Sequence, residues 1–191
     1  MEWNRLETIA LANPTCTYCT GLGVRRGRGG KEQHACHCVY RAIFKSCYLR
    51  FRECATMGKY VTTVNLEWTN GPIGKRVYGR KIEEYMADFC AVSRRTLSEE
   101  DYRLFRYHYV LGADSKMCSR FLKMEKGEFF HRVYRIEEIL GRTFLELKPY
   151  ALFPLYEYFG PASEAMFGDG FAFRHRTVKR QLKAAELQMI A

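Results

Sequence analysis

Residues 97–140 read LSEEDYRLFRYHYVLGADSKMCSRFLKMEKGEFFHRVYRIEEIL, and this stretch decides the fold class. Ser98 precedes Glu99, Glu100 and Asp101, an N-cap followed by acidic residues that suit the positive end of a helix dipole. The helix so predicted runs to about residue 111 and stops at Gly112. Asp114 caps a second, short helix ending near Leu122, and a third begins around Lys126 and runs to about Leu140. On the third, Phe129, Val133, Ile136 and Leu140 recur at steps of four, three and four residues and form one buried face. Lys126, Glu128, His131, Arg132 and Arg135 lie on or flank the opposite face near the N-terminal half.

Working outward to the N-terminus, Cys16-Thr-Tyr-Cys19-Thr-Gly21-Leu-Gly23 is followed by Cys36-His37-Cys38. Two residues between cysteines let both sulfurs meet one tetrahedral ion, and the glycines that follow allow tight turns toward the thiolates. Cys16, Cys19, Cys36 and Cys38 are the preferred ligands of one Zn2+, with His34, His37, Cys47 and Cys54 left as alternatives. A catalytic zinc needs an open coordination position and usually a nearby carboxylate base, and only Glu32 is close. Between the pairs, GLGVRRGRGGK at 21–31 reads as a mobile fingertip whose Arg25, Arg26, Arg28 and Lys31 suit phosphate contact.

The remaining chain divides as follows. Val39, Ile43, Phe44, Cys47, Tyr48, Phe51 and Cys54 mark a helical stripe over 39–54, with Arg41, Lys45, Arg50 and Arg52 on the other surface. YVTTVNLEW at 60–68 predicts a short strand or hairpin ending in a turn, and 81–93 returns to helical spacing. After 149 an aromatic run is expected to fold back onto the core, and 167–191 forms a basic tail, helical from about Thr177. The expected units are a zinc module with its following helix (1–58), a connecting segment (59–95), a helix-turn-helix domain (96–148) and the aromatic segment with its tail (149–191). The fold class is therefore mainly α, a small zinc finger followed by a helical body.

Composition narrows the function. The net charge of +10 favours a polyanionic partner, and basic residues exceed acidic ones most strongly over 1–60 and 171–191. Eight cysteines with no export signal point to reduced thiols, six of them in the first third, while Cys90 and Cys118 read as small core residues. No apolar run approaches the roughly 20 residues of a membrane span, and Glu2 and Glu7 stand where a signal peptide would be basic and then apolar, so a cytoplasmic, nucleoid-associated protein is expected. No P-loop, dinucleotide fingerprint or nucleophile elbow is present, so neither an enzyme nor a small-molecule substrate is expected.

Two resemblances sharpen this reading. Cys-x-x-Cys-x-Gly-x-Gly at 16–23 resembles one zinc repeat of the DnaJ chaperone family, over eight residues and once, so chaperone activity does not carry over. The stretch 97–140 resembles region 4 of bacterial sigma factors and the related helix-turn-helix of response regulators. The matching residues are Leu97-Ser98, Gly112, Phe121-Leu122, Met124 and Gly127, then Phe129, Arg132, Val133 and Arg135. Lys123 stands where that family commonly has Gly in the inter-helix turn, and Glu125 replaces the usual Ser cap. The resemblance implies a transcription regulator whose third helix reads double-stranded DNA through Lys126, Glu128, His131, Arg132 and Arg135. A zinc module joined to a helix-turn-helix also resembles lambdoid phage antiterminators, which implies an RNA-polymerase-associated factor acting through protein contacts. A third class is a single-stranded nucleic acid binder using Arg25, Arg26 and Arg28 with aromatic stacking.

Overall fold

Ser98 accepts a hydrogen bond from the Asp101 N–H (3.3 Å) and Asp114 one from the Met117 N–H (2.7 Å), so both predicted N-caps form. They open two of the helices in a mainly helical chain, seen in a computed structural model that describes residues 5–26, 33–64, 73–147 and 151–159. In chain order the described elements are α1 (Arg5–Leu11), β1 (Val24–Arg26), β2 (Gln33–Ala35), α2 (His37–Val64), α3 (Ile73–Thr96) and α4 (Glu99–Phe105). A π-helical turn (Arg106–Val110) extends α4, and α5 (Ser115–Leu122), α6 (Lys126–Glu146) and α7 (Leu155–Phe159) follow. The chain divides into two compact units, Met1–Val39 with Pro154–Ala191, and Tyr40–Phe153.

The core of the second unit is aromatic. Phe44 of α2, Phe89 of α3, Phe105 of α4 and Phe144 of α6 are each fully buried. Phe89 lies 5.1 Å from Phe144 and 5.9 Å from Phe105 between ring centroids, and Tyr109 meets Phe44 edge-on at 4.9 Å. Such pairs add about 0.5–1.5 kcal/mol each beyond the area they bury. The apolar stripe of α6 is buried as its spacing predicts, with Phe129, Val133, Ile136, Leu140 and Phe144 all inside. Gly141 permits a close approach of α6 to α2, since a Cβ there would lie 1.9 Å from the Tyr40 carbonyl oxygen.

One charged network sits inside this unit. Glu137 is 5% exposed; its Oε2 accepts from Arg41 Nε at 2.6 Å and its Oε1 from the Tyr109 hydroxyl at 3.0 Å. The Arg41 guanidinium also lies 3.9 Å from the Tyr134 ring centroid. Buried carboxylates persist only with such partners.

Several expectations change. The strand expected over 60–68 does not form at 60–64, because α2 continues to Val64; the remainder of that stretch lies outside the described residues. Propagating an existing helix adds one hydrogen bond per residue, which outweighs a β preference of a few tenths of a kcal/mol. Arg50, expected on the polar side of its helix, is 4% exposed with Nη1 3.2 Å from Glu53 Oε2. Across the expected boundary at 95/96, α3, α4 and α6 share one aromatic core. The aromatic run does return in part: the Leu152 N–H donates to the Phe144 carbonyl at 2.9 Å and Leu152 is buried. The basic tail at 167–191 lies outside the described residues.

Candidate metal centre and helix-turn-helix surface

The metal-binding geometry starts from a turn at Asn13, whose Oδ1 accepts from the Thr15 N–H and hydroxyl and whose carbonyl accepts from the Cys16 N–H. The Thr20 N–H donates to the Cys16 carbonyl and the Leu22 N–H to the Cys19 carbonyl, both at 2.8 Å, curling the chain around the first cysteine pair. Gly23 at φ +72° packs so closely on α1 that a Cβ would lie 2.3 Å from the Thr8 carbonyl oxygen, which restricts the position to glycine. β1 and β2 then pair antiparallel with Val24 opposite Ala35, and the Cys36 N–H donates back to the Gly23 carbonyl at 2.8 Å. Cys38 sits in the first turn of α2.

All four sulfurs of Cys16, Cys19, Cys36 and Cys38 lie within 4.8 Å of one another, with Cys16–Cys36 at 3.8 Å and Cys19–Cys38 at 3.6 Å. A tetrahedral ion with metal–sulfur bonds of about 2.3 Å requires sulfur separations of about 3.8 Å, which Cys16–Cys36 and Cys19–Cys38 already have. Burial pushes the Cys16 thiol up, but hydrogen bonds from the Tyr18 and Cys19 amides and from the Cys19 and Cys36 thiols outweigh it and bring the group to about 7. Burial raises Cys36 and Cys38 instead; the Cys16 and Cys19 thiols add to it at Cys36, where the Cys38 amide and thiol act the other way, and the Cys19 and Cys36 thiols add to it at Cys38. A cation at the centre would reverse that preference, since it favours the thiolate.

The alternative ligands stand apart. Among the described residues the candidate group contains no histidine. His34 is exposed on β2, and the His37 ring meets Tyr18 edge-on at 4.5 Å with its Nδ1 3.4 Å from Arg25 Nη1. Cys47 is buried in the aromatic core, where its thiol donates to the Leu152 carbonyl at 3.8 Å, and Cys54 is buried on the same helix. Of the predicted phosphate contacts, Arg25 is exposed and lies 4.8 Å from the Tyr18 ring centroid. The side chain of Arg26, and Arg28 and Lys31 entirely, lie outside the described residues.

In the second unit α5 and α6 are joined by the turn at 123–125 and pack on each other. Lys123 adopts φ +53°, ψ +44°, the left-handed conformation that a glycine at this step would take easily. Glu125 precedes α6 in extended conformation without a side-chain capping bond. Lys126, Glu128, His131 and Arg135 are exposed, and among the described residues Arg135 has no ion-pair partner.

Arg132, expected among the base-reading residues, is ion-paired within the chain. Its guanidinium donates to Glu128 at 3.0 Å and Glu100 at 3.1 Å and lies 3.8 Å from Asp101, which ties α6 to the first turn of α4. The acidic residues that suit the helix dipole also supply this clamp. No linear spacing reveals it, because Arg132 and its α4 partners are about thirty residues apart in sequence. The Glu137 network was equally hidden, as Glu137 sits beside an apolar stripe and resembles a surface residue.

No protein-family model, no curated protein and no solved structure matches the chain. Its functional reading therefore rests on the cysteine group and the surfaces described above. Among the described residues no helix is long and apolar enough to cross a membrane.

Proposed function

We propose that this chain is a zinc-containing DNA-binding transcription regulator that lays the N-terminal half of α6 against duplex DNA. The observation that carries the reading is the α5–turn–α6 geometry. A left-handed residue at Lys123 makes the short turn, and α6 then presents Lys126, His131 and Arg135 to solvent while its apolar stripe is buried. A helix so mounted has the form that enters a major groove, where an arginine can pair with a guanine edge. Arg132 serves as the anchor that holds α6 on α4, and Arg135 and His131 are the base-reading candidates.

The ion is read as zinc because four thiolates in a tetrahedral arrangement select a soft, four-coordinate metal. With every position taken by cysteine, its part is structural: it fixes the hairpin that carries Arg25. Arg25 beside Tyr18 supplies sequence-independent affinity.

The test is selection of bound sequences from random duplex DNA, followed by binding against salt on the selected and a scrambled duplex. Arg135→Ala is expected to lose about 1–3 kcal/mol on the selected duplex alone, and Arg25→Ala to weaken both duplexes and lower the salt slope by about one. Equal loss for Arg135→Ala on both duplexes removes base reading by α6.

A second reading, an RNA-polymerase-associated factor acting through protein contacts, is favoured by one observation. Leu111, Met117 and Phe121 are 61%, 48% and 59% exposed, an apolar content unusual for a surface meant only for phosphates. Failure to enrich any DNA sequence, together with Phe121-dependent binding to purified polymerase, selects this reading.

A further inference from the structure

A cleft of about 340 Å3 opens where the C-terminus of α3 meets α4 and its π-helical turn. Its walls include Arg94, Tyr102, Arg103, Arg106 and Tyr107. Arg94 is neutralised, since its Nη1 lies 2.5 Å from Glu99, which also lines the cleft, and its guanidinium rests 4.7 Å from the Tyr102 ring centroid. Arg103 and Arg106 are different. They lie three residues apart on one face, both exposed, and among the described residues neither has a carboxylate partner. Like charges at that spacing repel and are relieved by an anion between them.

The backbone supports the same reading. The Leu111 N–H donates to the Arg106 carbonyl at 2.9 Å, five residues back, so Arg106 and Tyr107 sit in a π-helical turn. Such turns insert one residue into a helix and re-aim its side chains, and they occur frequently at functional sites. Tyr107 is held by a near-parallel stack on Phe121, with centroids 5.9 Å apart and planes 9° apart, which gives the cleft a fixed aromatic wall. Two unneutralised guanidiniums beside fixed aromatic rings match a ligand that is anionic at one end and planar at the other. The volume lies near the lower end of small-ligand sites, about 300–1,000 Å3, and admits a single nucleotide but not a duplex.

We propose that this cleft binds a nucleoside 5′-phosphate, free or at the end of a nucleic-acid strand, with Arg103 and Arg106 on the phosphate and Tyr107 against the base. None of these residues belongs to the exposed surface of α6, so the site stands or falls separately from duplex recognition.

The test is calorimetric titration of the full-length, metal-loaded protein with AMP, adenosine, inorganic phosphate and a 5′-phosphorylated thymidine octamer. AMP is expected to bind and adenosine not to. Arg103→Gln/Arg106→Gln is expected to weaken AMP at least about tenfold, with Arg106→Lys intermediate and Arg135→Ala unchanged. Both arginines are exposed, and an unchanged circular dichroism spectrum certifies the fold of the variants. An octamer held more tightly than AMP, with the same dependence on Arg103 and Arg106, assigns the site to strand ends; weaker binding of the octamer assigns it to free nucleotides. The proposal is overturned if AMP fails to bind at about 1 mM, or if the double variant binds it as well as the parent does. Inorganic phosphate held as tightly as AMP overturns the nucleoside part, because the aromatic wall then contributes nothing.

Discussion

Glu137 shows what one residue costs and does inside this fold. Its carboxylate is the shared acceptor for Arg41 and the Tyr109 hydroxyl, and Tyr109 is itself packed in the aromatic core. Glu137→Ala strands both donors and is expected to destabilise the protein by about 3 kcal/mol, read as a shift in the urea midpoint, the lower end of the range because Arg41 keeps some access to water. A loss under about 1 kcal/mol would mean that water replaces the carboxylate. The buried thiols make a second residue-level prediction. Burial pushes Cys47 from its ordinary 9.0 up to about 12 and Cys54 to about 11. Above pH 9 the unfolded chain therefore loses these protons while the folded chain keeps them, so stability is full below that pH and falls as pH rises toward about 11–12. Urea midpoints between pH 7 and 10 should show this slope, and Cys47→Ala should flatten it.

At the scale of elements, the hairpin and the α5–α6 pair are held by different physics. The hairpin has three residues in each strand, too few to stand alone, and the cysteine group flanks it, with Cys19 before β1 and Cys36 after β2. Cys16→Ser/Cys36→Ser should reduce bound zinc from one per chain to near none by elemental analysis, while far-ultraviolet dichroism stays largely helical because most described helix lies in 40–153. Zinc affinity should rise with pH, since Cys36 and Cys38 must each lose a proton, while Cys16 contributes fewer released protons as pH passes about 7. Chelator competition from pH 6 to 8 measures both effects. For α6, Arg132→Ala removes a clamp whose two closest partners, Glu100 and Glu128, are exposed, so the expected loss is about 1 kcal/mol of stability with sequence preference retained. A change of preferred base on that substitution would return Arg132 to the groove.

At the scale of the whole molecule, one aromatic core joins four helices, and Phe89 touches Phe44, Phe51, Phe105 and Phe144. Phe89→Ala should cost about 3–5 kcal/mol and unfold 40–153 in a single transition. Separate transitions for 40–95 and 96–148 would instead support the boundary read from the break in periodicity.

Local chemistry by itself determined the helices of 97–140, their caps at Ser98 and Asp114 and the buried stripe of α6, each of which depends on residues a few positions apart. It preferred the four cysteines as ligands but left His34, His37, Cys47 and Cys54 open, and the grouping of the four sulfurs came only from the fold. Only the tertiary structure decided that α2 runs through the β-branched 61–64, that Arg132 is clamped by Glu100, that Glu137 is buried, and that Arg103 and Arg106 face a cleft. These outcomes depend on which helices meet, and a charge is placed by its partner across space, about which its neighbours along the chain carry no information.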